Sequence, residues 1–349
     1  MDTLKRLKYA GKFLRRDLVH MNLQILYNCN FTCRICDFWQ PQWQGKPKLS
    51  LEQTRQIVAK LKPEGPFLIS IGGGEPLLHP EILPIAKVLA RDNLVVMICN
   101  GWFMTREKAR ALWEAGLYEI SISVDYIDPA RHDAHRGQPG AHARALEALR
   151  ILHQERVHPH QRTHMISVVM DDNLEDIEPL AQLAASRGYT YLITFHSTSR
   201  GRKEKRAAPA EVGKRLREIQ ARNPSMVTLR GYVDRFAQAD ENGEIKPCRA
   251  GVNLFNIDST GHVSTCIDRL DEPCGNLLTD SFDSVRQQLA KRQAQSDCGA
   301  CWTSCRGPVE TLMYGKNRLG NLVDLYHMVK DVPLVKRPPA RLEVASSRP

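Results

Sequence analysis

The sequence Met21-Asn-Leu-Gln-Ile-Leu-Tyr-Asn-Cys29-Asn-Phe-Thr-Cys33-Arg-Ile-Cys36 places three cysteines directly after a short apolar run. The apolar run, residues 21–27, predicts a β-strand. Three thiolates spaced C-x3-C-x2-C can converge on one metal centre, and no fourth cysteine or histidine lies nearby. A structural zinc site is closed by four ligands. A cubane iron–sulfur cluster held by three cysteines leaves one iron free to bind another group, so the spacing favours a cluster.

From residue 21 to about residue 196, short apolar runs alternate with helical patterns, as parallel α/β architectures require. The strand candidates are rich in Ile, Val, Leu and aromatic residues, which is typical of strands buried on both faces; they are residues 21–27, 67–71, 94–99, 118–124, 163–170 and 189–195. Ser50 with Gln53 predicts a capping box, and Asn173 predicts another helix N-cap. Six β/α units predict an α/β fold, a partial (β/α)6 TIM-like barrel. The alternative is an open doubly wound sheet, but no G-x-G-x-x-G follows the first strand.

A second motif, Gly72-Gly-Gly-Glu75-Pro76, follows the second strand candidate. Glycines at this position leave backbone amides and carbonyls open to a ligand, although any α/β protein can have such a turn. The cysteine loop after the first strand and the Gly-Gly-Glu-Pro after the second are together more specific. With both motifs, residues 21–200 resemble the radical S-adenosylmethionine (SAM) superfamily.

The resemblance implies that Cys29, Cys33 and Cys36 hold a [4Fe–4S] cluster whose open iron is chelated by SAM. It also implies the contacts of SAM with the protein: Gly73, Gly74 and Glu75 for the amino group, Ser123 for the ribose, Arg136 for the carboxylate and Asn100 for the polar lining. Ile35 departs from the family, which usually has an aromatic residue beside the adenine; backbone hydrogen bonds survive that change, whereas stacking does not. A reduced flavodoxin- or ferredoxin-type protein is the implied electron donor.

Residues 248–305 contain six of the ten cysteines. A pair of distant cysteines followed by C-x2-C can close a four-thiolate set for zinc or for a cluster. After a radical SAM barrel, this pattern resembles a SPASM domain or its single-cluster form, twitch. The longer form expects two further cysteines that the chain lacks. We therefore expect one auxiliary [4Fe–4S] cluster in a small C-terminal domain, with four ligands drawn from Cys248, Cys266, Cys298, Cys301 and Cys305. Cys274 is the remaining candidate, and Cys99 is expected to be a buried small hydrophobe.

The resemblance implies an enzyme that reductively cleaves SAM to a 5′-deoxyadenosyl radical and removes hydrogen from an unactivated C–H bond. With an auxiliary cluster as electron acceptor, we expect a net oxidation, with epimerisation or C–C coupling as alternatives. The substrate is a small molecule, glycoside, lipid or peptide; few residues precede Cys29, which makes a peptide-binding module there unexpected. Asp268 and Asp125 are candidates for the base. A different class remains open: a non-catalytic zinc-binding α/β protein with a C-terminal zinc ribbon used for interactions.

The chain has 349 residues, of which 42% are hydrophobic and 25% charged, as in ordinary globular proteins. Ten cysteines without an export signal predict a cytoplasmic protein and exclude a disulfide scaffold. The net charge of +10 is concentrated in residues 1–20, with +4, and residues 200–222, with +6. Solvated helix faces explain this charge without a nucleic acid partner, which we do not expect.

Four segments are predicted: a basic amphipathic helix (residues 1–20), the radical SAM partial barrel (21–235), the auxiliary cluster domain (236–331) and a flexible tail (332–349). In the first, Leu4, Leu7, Leu14 and Leu18 line one face of a helix that also carries six basic residues. Such a helix is typical of a membrane-surface element. The alternative is a helix that buries its leucines against the bottom of the barrel.

Overall fold

A computed structural model describes residues 3–195, 209–239 and 244–335. Part of the basic segment (residues 200–208) and most of the predicted tail (336–349) lie outside the described residues. The strands are β1 His20–Gln24, β2 Leu68–Gly72, β3 Leu94–Cys99, β4 Glu119–Ser123, β5 Arg162–Val169, β6 Thr190–Phe195, β7 Leu254–Ile257 and β8 Val263–Ser264. The helices are α1 Thr3–Leu14, α2 Leu51–Leu61, α3 Ile82–Asp92, α4 Arg106–Glu114, α5 Pro129–Arg136, α6 Ala141–Glu155, α7 Leu174–Ser186, α8 Pro209–Arg222, α9 Arg230–Phe236, α10 Phe282–Ala294, α11 Gly307–Tyr314 and α12 Arg318–Val329.

The strands form one sheet in the order β6-β5-β4-β3-β2-β1-β7-β8, in which only the β7–β8 pair is antiparallel. The apolar residues of adjacent strands are aligned, as where Met21 pairs with Ile69 and Leu23 with Ile71. Helices follow the strands and cover the outer face, so the α/β partial barrel is confirmed. Since parallel strands end at the same edge, the loops after β1, β2, β3 and β4 meet at one rim.

Two predicted helix starts have different outcomes. Ser50 and Gln53 form the expected capping box at the start of α2. Asn173 occupies the N-cap position of α7, as predicted, but its side chain forms no cap hydrogen bond; its Nδ2 donates instead to the carbonyls of Asp125 and Val168, at 3.0 and 2.8 Å. The capping bond is absent because Asn173 is fully buried and its amide joins the ends of β4 and β5.

The C-terminal region continues the barrel sheet instead of forming a sheet of its own. β7 pairs in parallel with β1, so that Met21 lies opposite Phe255. Residues such as Phe255 and Leu289 belong to the same hydrophobic core as the barrel strands. The region with the auxiliary cysteines is therefore joined to the barrel sheet through β7, which pairs beside β1. The sequence did not indicate this arrangement. The domain boundary at residue 236 stays a prediction.

Helix α1 lies across the bottom of the barrel, where the strands begin. Lys12 donates from Nζ to the Glu64 carbonyl at 3.0 Å, and its ammonium lies 3.6 Å from the ring centre of Phe67. Lys5 donates from Nζ to the Ala90 carbonyl at 2.8 Å. Tyr9 and Phe13 pack on α11. One side of the helix thus closes the barrel with aromatic rings and lysine stems.

The leucines of α1 are on its other side. Leu4, Leu7 and Leu14 are 56%, 65% and 88% exposed, and only Leu18, beyond the end of the helix, is buried. The helix therefore does cap the barrel bottom, but the alternative in which its leucines face the barrel is wrong. None of the helices in the described part of the chain is long and apolar enough to cross a membrane.

Candidate active site and auxiliary cysteine cavity

The three cysteines of the first motif lie in the loop between β1 and α2, at the carboxyl end of the sheet. Cys33 is buried, and Cys29 and Cys36 are half-buried. The Cys36 amide donates to the Cys33 carbonyl at 3.3 Å, and the Phe31 amide donates to Cys29 Sγ at 3.4 Å. The indole of Trp39 donates to the same Cys33 carbonyl at 3.1 Å. These bonds gather three reduced cysteines into one small cluster.

Burial makes the thiols of Cys29 and Cys33 reluctant to ionise without a cation. It raises the pKa of Cys29 to about 12. It also raises the pKa of Cys33, although the Arg136 guanidinium, with Nη1 3.9 Å from the Cys33 Sγ, opposes the rise. Metals bind thiolates and remove the thiol proton on coordination. One buried and two half-buried thiols with one adjacent guanidinium are therefore a suitable donor set for a cationic iron–sulfur centre.

Ile35 packs in this cysteine cluster together with Trp102, which follows β3. The Trp102 ring contacts Phe31 edge-on, with 5.8 Å between ring centroids. An aromatic side chain is thus present beside the loop, although it does not come from the position before Cys36. The sequence did not point to Trp102, because this residue follows β3 and is far in sequence from the cysteine motif that follows β1.

The glycines of the second motif are packed against the cysteine loop. A Cβ atom at Gly73 would lie 2.1 Å from the Leu26 carbonyl oxygen, and one at Gly74 would lie 2.0 Å from that of Asn28. Gly73 also has a φ of 132°, which side-chain-bearing residues rarely adopt. Only glycine permits this approach, so Gly73 and Gly74 support the loop that carries the cysteines, besides leaving backbone open at the rim.

Glu75 joins the ends of β2 and β3. Its carboxylate accepts from the backbone amides of Leu77 and Asn100, at 2.9 and 2.8 Å. Burial raises its pKa to about 7, against the effect of these two amides. Asn100 in turn donates from Nδ2 to Asn30 Oδ1 at 2.9 Å, within the cysteine loop. Both residues lie at the rim as predicted, and both brace backbone there.

Arg136 and Asp125 form a buried ion pair behind Cys33. Arg136 Nη2 donates to Asp125 Oδ2, and His135 Nε2 lies 3.6 Å from the same oxygen. The Val168 amide donates to Asp125 Oδ1 at 2.9 Å. Burial alone would raise the pKa of Asp125, but the charges of Arg136, His135 and His132 together lower it. A fully buried carboxylate with a lowered pKa is a weak proton acceptor, and its ion pair positions Arg136; the role of Asp125 as the base stays a prediction.

Arg136 keeps one donor available. Its Nε is buried and has no hydrogen-bond partner among the described residues. Ser123 ends β4 and is half-buried at the same rim. A cation with a free N–H next to the cysteine loop is suited to a carboxylate ligand, which is the group that SAM would present to it.

The C-terminal cysteines surround one cavity. It is lined by Cys248, Cys266, Cys298, Cys301 and Cys305, together with Asn22 of β1, Asp268, Arg269 and Arg306. Burial raises the pKa of Cys301 to about 12 and raises those of Cys248 and Cys266 as well. The five cysteines thus surround one space, and thiolates around a space are what a cluster requires.

Arg306 holds the segments that carry these cysteines. It is 2% exposed and donates from Nη1 to the Cys301 carbonyl at 2.8 Å. Nη2 donates to the carbonyls of Ile245 and Pro247, at 2.6 and 3.0 Å, and Nε donates to Glu310 at 2.8 Å. Sequence reasoning did not single out Arg306 or Glu310, although their i,i+4 spacing on a helix was a signal for an ion pair.

Of the remaining candidates, Asp268 lies in the wall of the cavity, two residues after Cys266. Cys274 is buried but does not line the cavity; its Sγ lies 3.9 Å from the Glu272 carbonyl. Cys99 is buried in the barrel core, as expected. The structure brings together all five predicted auxiliary cysteines and leaves Cys274 outside.

Residues 23–184 match the model of the radical SAM superfamily. The chain is 24% identical over 307 residues to AdoMet-dependent heme synthase of Methanosarcina barkeri, covering 80% of this chain and 86% of that protein. It is 27% identical over 311 residues to mycofactocin maturase MftC of Mycobacterium ulcerans, covering 81% and 80%. The alternative of a non-catalytic zinc-binding protein is therefore wrong for the barrel.

Solved structures share the fold at low sequence identity. The crystal structure of Streptococcus suis SuiB bound to precursor peptide SuiA superposes with a TM-score of 0.67 at 13% identity, covering 86% of this chain and 74% of that one. Native anSMEcpe with bound AdoMet superposes with a TM-score of 0.63 at 14% identity, covering 88% and 99%. The partial barrel thus occurs in proteins crystallised with SAM and with peptides.

Proposed function

Residues 23–184 are a radical SAM domain, and from that premise we propose that the protein catalyses a net two-electron oxidation with an auxiliary cluster as electron acceptor. The observation that carries this proposal is the five-cysteine cavity, which is bordered by Asn22 of β1. The same strand leads directly to Cys29. One strand of the barrel therefore borders both groups of cysteines.

SAM and a [4Fe–4S] cluster are the cofactors of a radical SAM domain, and when bound they supply a reactive abstractor of hydrogen atoms. Cys29, Cys33 and Cys36 would hold the cluster. Arg136 would bind the SAM carboxylate through its free Nε, kept in place by Asp125. Gly73 and Gly74 would offer backbone to the amino group, and Glu75, Ser123 and Asn100 complete the rim.

Three aromatic residues that flank the cysteine motif in sequence pack together. Tyr27, Phe38 and Trp43 contact one another, with ring centroids 4.7–5.2 Å apart. Tyr27 and Phe38 are buried. A reactive intermediate formed beside this loop would be shielded from solvent, which is the protein's main contribution to radical chemistry.

The oxidation balances with the groups available. With both groups bound, they would supply removal of one hydrogen atom from a substrate C–H bond and acceptance of one electron, and a base of the protein would take up the one proton that remains. Asp268 is the candidate base, because it lines the cavity beside Cys266. A reduced flavodoxin- or ferredoxin-type protein supplies the electron that starts each turnover.

The substrate is a peptide or a small molecule. The relatives named as a maturase and the structure with a bound precursor peptide favour a peptide. The relative named as a heme synthase favours a small molecule. Glycosides and lipids also contain unactivated C–H bonds on which such an enzyme can act. A lipid substrate would agree with the exposed apolar face of α1.

Helix α1 also supports contact with an anionic membrane surface. Leu4, Leu7 and Leu14 form an outward apolar face, and the exposed Lys8 and Arg15 flank it. Each basic residue near an anionic bilayer contributes about 1 kcal/mol. Because the opposite side of α1 is anchored to the barrel, the protein would contact the bilayer through the bottom of the barrel.

The SAM cleavage on which the proposal depends is tested by anaerobic reconstitution followed by reduction with dithionite in the presence of SAM. The wild-type protein should release 5′-deoxyadenosine, measured by chromatography. A variant with Cys29, Cys33 and Cys36 all replaced by Ala should release none, because a three-cysteine site has no spare ligand. Circular dichroism controls for folding, and cleavage at the wild-type rate in the variant would refute the assignment.

A further inference from the structure

The inward-facing side chains of β1 contact the segments that carry the auxiliary cysteines. Alternate residues of a strand share a face, so His20, Asn22 and Gln24 form one inward line. His20 Nδ1 lies 2.9 Å from the Cys305 carbonyl oxygen, and Asn22 Oδ1 lies 3.3 Å from Cys305 Sγ. Gln24 is further along the strand and donates from Nε2 to Asn256 Oδ1 at 3.3 Å.

Asn22 has a hydrogen-bond donor with nothing to bind in the described chain. Its side chain is 3% exposed and lines the five-cysteine cavity. Its Nδ2 is buried and lacks a partner among the described residues. An unsatisfied buried amide costs about 1–3 kcal/mol. Such a donor, on a residue that lines a cavity of thiols, indicates an acceptor within that cavity.

The sulfur atoms of a cluster are acceptors of this kind. Thiolates and bridging sulfides carry negative charge and have no proton to donate. In the orientation of the structure, Oδ1 accepts from the Cys305 thiol, and Nδ2 is the donor without a partner among the described residues. If the amide turns by 180°, Nδ2 replaces Oδ1 beside Cys305 Sγ. In that turned orientation the Asn22 amide donates to sulfur once the Cys305 thiol is ionised.

We propose that Asn22 donates a hydrogen bond to sulfur of the auxiliary cluster and thereby raises the reduction potential of that cluster. Reduction adds negative charge to the cluster, and a hydrogen bond to its sulfur stabilises the more negative state. The first strand of the barrel thus sets how readily the auxiliary cluster accepts an electron. This inference rests on the auxiliary cluster of the proposed function.

The test measures the potential directly, without turnover. The Cys29, Cys33 and Cys36 triple Ala variant isolates the auxiliary cluster, and its midpoint potential is followed by EPR during a redox titration. Adding Asn22→Leu should lower the equilibrium constant for one-electron reduction about tenfold, a shift of 59 mV. Gln24→Leu is the matched control, since Gln24 lies on the same face of β1 but does not line the cavity; its potential should not change.

Asn22→Asp is the second variant, because it keeps the side-chain volume while replacing the donor by a carboxylate. It should lower the potential at least as far as Asn22→Leu. Unchanged potentials in both Asn22 variants, with iron content equal to that of the parent, would overturn the inference. A lower potential in the Gln24→Leu control as well would also overturn it. If the parent triple variant holds no iron, the auxiliary cluster itself is refuted and the role of Asn22 falls with it.

Discussion

The two groups of cysteines each have one buried arginine–carboxylate pair, and the two arginines are used differently. Arg306, paired with Glu310, donates to three backbone carbonyls around the auxiliary cavity. Arg136, paired with Asp125, retains a buried Nε without a partner among the described residues. A guanidinium with all three nitrogens engaged holds a fold together, whereas one with a free donor can bind a ligand.

The two groups of cysteines also differ in how far apart their members lie in the sequence. Cys29, Cys33 and Cys36 come from one short loop, and no other described cysteine lines that cluster. The auxiliary cavity gathers five cysteines from three separate segments. The first group is set by local sequence and has no spare ligand. The second depends on long-range packing and has one cysteine more than a four-ligand cluster needs.

The largest effect is expected at Arg306. Arg306→Met leaves Glu310 charged and buried and removes the donors to the carbonyls of Ile245, Pro247 and Cys301. Breaking a buried pair in this way costs about 3–5 kcal/mol. Urea unfolding should show that loss, together with loss of the auxiliary iron. In the double variant Arg306→Met/Glu310→Gln, part of the stability should return, because the buried carboxylate is then neutral. Equal free energies of unfolding for Arg306→Met and the wild-type protein would contradict a structural role of Arg306.

A smaller and more selective effect is expected at Arg136. Arg136→Lys keeps the positive charge beside Asp125 but removes the Nε donor. SAM binding to the reconstituted protein should weaken about tenfold, or about 1.4 kcal/mol, while stability changes little. Arg131→Lys on the same helix is the matched control, since Arg131 is half-exposed and pairs with Asp176. Unaltered SAM affinity in Arg136→Lys, with the cluster loaded, would contradict the ligand role.

These two arginines also show what sequence can and cannot predict. Cys29–Cys36 and the strand pattern could be interpreted directly, because ligand spacing and apolar runs are local. Arg136 was found only through the resemblance to a family. The Arg306 interactions with residues 245–247 and the contact of Asn22 with Cys305 required the fold, since nothing local aligns those segments.

Helix α1 illustrates an intermediate case. Its leucine periodicity correctly predicted an apolar face, but periodicity does not say whether that face points inward. Tyr9 and Phe13 form a second apolar side, and these larger rings fill the space against α11. The leucines remain outside because the helix has only one side in contact with the barrel.

The smallest effect on the folded protein is expected from the α1 leucines. Replacing Leu4, Leu7 and Leu14 by Gln should leave the free energy of unfolding within about 0.5 kcal/mol, as for other exposed sites. Sedimentation with phosphatidylserine vesicles at low salt should nevertheless fall markedly. The control replaces Leu319, Leu322 and Val323 of α12, which are also exposed. Equal loss in both variants, or no vesicle binding by wild type, would argue against a membrane role of α1.

The central claim is that the chain holds two separate clusters, and iron analysis of the Cys29, Cys33 and Cys36 triple Ala variant tests it most directly. The reconstituted wild-type protein should contain about eight irons, and the triple variant about four, with the sulfide content falling in parallel. That result would assign the remaining iron to the five-cysteine cavity. A triple variant that contains zinc and no iron would contradict the account and make the C-terminal region a structural metal site.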